Sequence, residues 1–208
     1  MNADISEIID PQYIFLLISY LIGSFPTGYL MGRIVYGINL FDHGSKNVGA
    51  TNALRVLGKK AGIFVLIVDA LKGAVPVLLA NQILQLDYKW SLAVGIAAIF
   101  GHTFSPFIKF KGGKGVATSA GTFLALAPLA FGVSFATFIS VVVLTKFVSL
   151  GSILASIALP IACAFLHPGK PALWQACAVL AFFITFKHRS NIGRLLRGEE
   201  NRLKWGKK

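Results

Sequence analysis

Gly112-Gly113-Lys114-Gly115-Val116-Ala117-Thr118 opens the stretch GGKGVATSAGTFLALAPLAFGVSFATFISVVVLT, residues 112–145, whose reading decides the fold. A lysine-bearing glycine turn passes directly into apolar sequence, Pro128 interrupts it, and a second apolar run follows over residues 129–145. Strand-like alternation is absent. Gly and Pro interruptions are tolerated in transmembrane helices when neighbouring helices satisfy the freed backbone groups. The remainder of the chain agrees, since its 208 residues are 55% hydrophobic with a mean hydropathy of +0.71. A soluble domain of this size cannot hide that much apolar surface in one core. The prediction is an all-α integral membrane protein, a single transmembrane domain over residues 1–208.

Outward from that stretch, apolar segments run over residues 12–36, 62–84, 90–104, 115–126, 129–145, 150–165 and 172–186. Most approach the ~20 residues of a full span, but 90–104 and 115–126 are short enough to be tilted or partly re-entrant. Seven crossings place the termini on opposite sides. With the amino terminus outside, only Lys89 and Lys170 face out and Lys72 lies within a span, while every other Lys and Arg falls inside. The positive-inside rule therefore predicts a cytoplasmic carboxyl terminus, and Asp4, Glu7 and Asp10 do not oppose an external amino terminus. The formal charge of +12 then reflects topology, so no nucleic-acid partner is expected. Basic residues from Arg202 to Lys208 read as an anionic-lipid contact.

The start of the chain lacks a basic n-region, so the first apolar run is expected to be retained as a span. Cys163 and Cys177 sit in or beside apolar runs and read as small hydrophobes. Neither zinc spacing nor a cofactor motif occurs, and no metal or cofactor is expected.

Chemistry concentrates at the inner ends of the apolar runs. A first glycine turn, Gly44-Ser45-Lys46-Asn47-Val48-Gly49-Ala50-Thr51-Asn52, precedes Arg55, and the second is Gly112-Gly113-Lys114-Gly115 before Thr118. Glycine lets backbone N–H groups approach an anion, a following helix adds its positive dipole end, and lysine adds a full charge. Two such turns predict sites for two phosphate-like groups. Ser45, Asn47, Thr51 and Asn52 offer donors, and Arg55 offers a forked contact. Ala50 stands where a P-loop requires lysine, which excludes nucleotide hydrolysis on that motif.

A third cluster, His188, Arg189, Asn191, Arg194, Arg197 and Glu199, crowds the inner end of the last run. His188 and Asn191 lie one helical turn apart and can aim at one substrate. Asp69 and Lys72, at i and i+3 inside an apolar run, either neutralise each other or line a polar cavity. His102 to Lys111 interleaves aromatics with lysines and suits the interface. Neither a His-x-x-x-x-Asp signature nor a Gly-x-Ser-x-Gly elbow is found.

These three motifs, together with His102-Thr103-Phe104 and Phe110-Lys111 before the second turn, resemble the bacterial membrane-embedded acyl-phosphate:glycerol-3-phosphate acyltransferase family over essentially the whole chain. The resemblance implies a seven-span inner-membrane enzyme without cofactor. It would transfer a fatty acyl group from acyl phosphate to the 1-hydroxyl of glycerol 3-phosphate, giving lysophosphatidate and phosphate on the cytoplasmic side. It assigns Ser45, Arg55, Lys114, His188 and Asn191 to catalysis. Gly44, Lys46, Asn47, Gly49, Thr51, Asn52, Gly112, Gly113, Gly115, Thr118, Ser149, Arg194 and Glu199 go to substrate binding. Lys46 departs from the pattern, standing where a small residue, often glycine, is expected; Ser105 also interrupts the usual His-x-Phe-Pro. The mechanism expected is direct attack without an acyl-enzyme, with the proton passing to the departing phosphate or to His188. The competing class is an organic-phosphate or anion transporter, which would place its site nearer the midplane.

Overall fold

The computed structural model describes residues 10–203, so Asp4, Glu7, Lys204, Lys207 and Lys208 lie outside the described residues. Among the described residues every regular element is helical. The chain divides into two compact units, Met1–Leu126 and Ala127–Lys208.

The first unit begins with α1, Pro11–Ser24, where Pro11 occupies the first turn and the Asp10 carboxylate accepts from the Gln12 amide at 2.9 Å. Pro26 breaks the rod, and the chain resumes as α2, Thr27–Leu30, with a π-helical turn Met31–Val35. After the first glycine turn come α3, Ala50–Val56, and α4, Lys59–Leu78, which extends through a second π-helical turn, Leu79–Ile83. Asp87 caps α5, Tyr88–Thr103, by accepting from the Lys89 and Trp90 amides. A 3-10 turn, Pro106–Ile108, leads to the second glycine turn and α6, Val116–Leu126.

Close backbone approach holds these helices together, because lipid tails supply no hydrophobic drive between them. A Cβ at Gly23 would fall on the Ala98 carbonyl of α5, and one at Gly101 on the Tyr20 carbonyl of α1. The α4–α6 contact is built likewise from Gly73 against Thr118 and Gly121 against Ala70.

The second unit contains α7, Pro128–Thr145, α8, Val148–Leu166, α9, Pro171–Lys187, and the short α10, Arg189–Leu196. The chain after α10 returns to the α7–α8 turn, where the Leu203 amide donates to the Lys146 carbonyl at 2.7 Å. Cys163 and Cys177 are buried with their sulfurs 3.8 Å apart, as small core hydrophobes.

Among the described residues, five helical stretches are long and apolar enough to cross a bilayer: Pro11–Val35, Lys59–Ile83, Tyr88–Ile108, Pro128–Thr145 and Val148–Leu166. Two shorter apolar helices, Val116–Leu126 and Pro171–Lys187, occupy the remaining expected segments. Of the two segments read as short, the third is extended at both ends, by Tyr88 and Lys89 before it and by the 3-10 turn after it. The fourth stays short. At 11 residues α6 is about 16 Å long, roughly half of a ~30 Å hydrocarbon core. Large side chains on several helices face outward, including Phe165 at 82% and Phe182 at 76% exposure, which suits lipid contact.

Candidate functional site

The first turn is organised by one side chain. Asn52, 2% exposed on α3, donates from Nδ2 to the carbonyls of Asn47 at 2.8 Å, His43 at 3.0 Å and Leu40 at 3.3 Å. Its Oδ1 accepts from the Ser45 amide at 2.8 Å. The Asn52 amide group, expected among the phosphate donors, is therefore spent on the loop itself. Gly44, at φ +60°, passes so close that a Cβ would strike Asn52 Oδ1. Asn47 is engaged as well, its Oδ1 accepting from the Gly49 amide at 2.9 Å. This bracing leaves the Ser45 and Thr51 side chains half-buried, with Lys46 and Arg55 exposed on the rim.

Lys46 adopts φ +54°, in the left-handed region. That conformation suits the glycine that the family resemblance leads one to expect there, since a side chain at such a φ is strained by ~1–2 kcal/mol.

The second turn leans on the end of α5. The Gly112 amide donates to the Thr103 carbonyl and the Gly113 amide to the His102 carbonyl, each at 3.1 Å. No side chain fits at either glycine, for a Cβ at Gly112 would fall on the His102 carbonyl and one at Gly113 on His102 Nε2. Gly115, at φ +81°, turns the chain into α6, and the Ser119 amide closes the first turn on the Gly115 carbonyl at 2.8 Å. Half-buried Lys114 thus stands at the α6 amino terminus, where the first amides lack acceptors within the helix and the dipole is positive. Thr118 Oγ1 is fully buried without a hydrogen-bond partner.

The third cluster lies in the second unit. His188 is 3% exposed, with Nδ1 2.8 Å from the Ile184 carbonyl. A carbonyl only accepts, so Nδ1 carries a proton and the neutral ring keeps its lone pair on Nε2. Asn191, 5% exposed, donates from Nδ2 to Glu200 Oε1 at 2.7 Å. Ser149 donates to the same oxygen at 2.9 Å, and Arg194 Nε donates to Oε2 at 2.7 Å.

The acidic residue of this cluster is Glu200, where the sequence points to Glu199. Glu199 is exposed and pairs with Arg197 at 2.8 Å. The reason is the chain reversal after α10. Gly198 at φ +70° donates to the Leu195 carbonyl, and the Glu199 amide donates to the Arg194 carbonyl. This helix stop directs the next residue back toward α10. Gly198, two residues earlier, is the signal that could have located Glu200. Burial works to raise the Glu200 carboxyl, but hydrogen bonds from Asn191, Ser149 and Arg194 and the charge of Arg194 outweigh it, holding the group below the usual carboxylate range.

Apolar helices with lysine-bearing glycine turns between them define an integral membrane protein. The family model described as glycerol-3-phosphate acyltransferase matches residues 13–198. Curated relatives named glycerol-3-phosphate acyltransferase include one from Syntrophotalea carbinolica, 48% identical over 92% of this chain and 97% of its own. Another, from Fusobacterium nucleatum, is 46% identical over 93% of this chain and 98% of its own. A crystal structure of PlsY (YgiH), an integral membrane glycerol 3-phosphate acyltransferase in its glycerol 3-phosphate form, matches with a TM-score of 0.87. It is 36% identical and covers 93% of this chain and 96% of that one. The lysophosphatidic acid form of the same protein matches with a TM-score of 0.83. The chain belongs to the glycerol-3-phosphate acyltransferase family, and membership decides for an enzyme of phospholipid biosynthesis over a transporter.

Proposed function

We propose that the whole chain acts as one domain that moves an acyl group from acyl phosphate to the 1-hydroxyl of glycerol 3-phosphate, at the cytoplasmic face of a bacterial inner membrane. The observation that carries the two-phosphate reading is that the two glycine turns come close together, Val48 of the first and Gly113 of the second bordering one water-sized cavity. Two cationic turns gathered about one place suit two substrates that each bear a phosphate.

The hydroxyl oxygen attacks the acyl carbonyl carbon, a new C–O ester bond forms, and the carbonyl–phosphate bond breaks. Arg55, Lys114 and backbone amides of the turns, with Ser45 and Thr51 as further donors, stabilise charge on the carbonyl oxygen and the departing phosphate. Positioning supplies ~7–11 kcal/mol in such reactions, and one preorganised donor ~2.7–4 kcal/mol. The hydroxyl proton goes to the released phosphate or to His188 Nε2. In the second unit, Glu200 orients Asn191, Ser149 and Arg194, which extends the substrate-binding set beyond the residues read from sequence.

Purified protein in detergent tests this reading. Phosphate release is expected only when acyl phosphate and glycerol 3-phosphate are both present, with acyl-CoA failing as donor; release without glycerol 3-phosphate refutes acyl transfer. Sidedness is checked by labelling cysteines introduced beside Lys114 and His188, and labelling from opposite faces would refute a cytoplasmic placement of both. A His188→Ala enzyme with unchanged turnover across pH assigns the proton to the leaving phosphate.

A further inference from the structure

Asp69, Lys72 and His102 meet in the interior of the first unit, at 2%, 5% and 8% exposure. Lys72 Nζ donates to the Phe25 carbonyl at 2.7 Å, lies 2.7 Å from Asp69 Oδ1, and faces His102 Nδ1 at 3.4 Å. The Asp69 contact is off the line of a hydrogen bond, and Asp69 Oδ1 is 3.8 Å from His102 Nδ1, beyond hydrogen-bonding reach. An ammonium only donates, so Nδ1 is the acceptor and the ring proton sits on Nε2, the atom over Gly113.

Ionisable side chains buried within a membrane bundle are costly, and a mutually neutralising pair needs no imidazole. Here the third member reaches the reaction machinery. The His102 ring occupies the space where a Gly113 side chain would stand, its carbonyl takes the Gly113 amide, and Lys114 follows directly. The cavity beside the cluster measures about 10 Å³, the room of about one water, so the cluster does not itself seat a phosphate. Its action is on the turn.

We propose that Asp69, Lys72 and His102 are positioning residues for acyl transfer: Asp69 and the Phe25 carbonyl anchor the Lys72 ammonium, Lys72 orients the imidazole, and the imidazole sets the Gly113–Lys114 backbone. The inference rests on the phosphate-binding reading of that turn. Displacing a catalytic group by ~1 Å can cost ~10²-fold in rate.

The test compares His102→Gln with His102→Phe in the full chain, by two-substrate kinetics and thermal unfolding in detergent. Glutamine retains an acceptor for Lys72 and a polar group beside Gly113, whereas phenylalanine fills the space without either. The expected result is that Gln keeps at least a tenth of wild-type kcat/KM while Phe loses more than tenfold. The Phe loss should fall on KM for the substrate whose KM is raised by Lys114→Arg, with the other KM within twofold. A space-filling role predicts the reverse order, so Phe equal to or better than Gln overturns the proposal. Loss confined to the unfolding midpoint overturns it too. Should the Phe variant not fold, Lys72→Met is expected to raise the same KM, and folded Lys72→Met with wild-type kinetics overturns the proposal. If neither wild type nor any variant releases phosphate from the two substrates, it is the acyl-transfer reading that fails.

Discussion

The turn at residues 44–52 is held by its own side chain, Asn52, whereas the turn at residues 112–115 is held by the end of α5, which is itself braced from α4. Both present backbone and lysine at the start of a helix, but they depend on different things. The first needs only a short local segment to close its hydrogen bonds. The second is as accurate as the packing of α4 and α5, so distant buried residues bear on its chemistry. The carboxylate-centred cluster of Glu200 follows a third plan, in which a helix stop carries one acceptor back to three donors.

The largest effect is expected where packing rules. Gly113→Ala drives a methyl into His102 Nε2, and kcat/KM is expected to fall on the order of 10³-fold, about 4 kcal/mol, with helical content by circular dichroism unchanged. Wild-type activity would break the contrast between the turns. Asn52→Ala should instead act on stability, because it strands the Ser45 amide and the buried loop carbonyls. A loss of about 3 kcal/mol is expected, read as a lowered unfolding midpoint in detergent.

Glu200→Gln sharpens the comparison through pH. The folded carboxyl lies below its ordinary value of 4.5, so its stabilisation is present above that pH and drains away as pH falls through the folded value. Wild type should exceed Glu200→Gln by about 1–2 kcal/mol near neutrality, and unfolding scans should show the gap closing below about pH 4.5. A gap constant down to strongly acidic pH would place the stabilising charge elsewhere. The smallest effect is expected at Lys46→Gly, where removing left-handed strain should raise stability by about 0.5–1 kcal/mol in the same scans.

Composition and periodicity by themselves determined the helical membrane class, and Pro128 the break between α6 and α7, because solvent preference and proline sterics act locally. Glycine spacing likewise located both turns, since glycine takes the positive φ of Gly44 and Gly115 without the strain that Lys46 carries. Tertiary structure decided the rest. It showed that Asn52 builds its loop from within, that Glu200 and not its neighbour receives Asn191, Ser149 and Arg194, and that His102 backs Gly113. Those outcomes depend on where a helix stops and which side chain is close enough to spend a hydrogen bond. Residue order lists such groups but does not measure the distances between them.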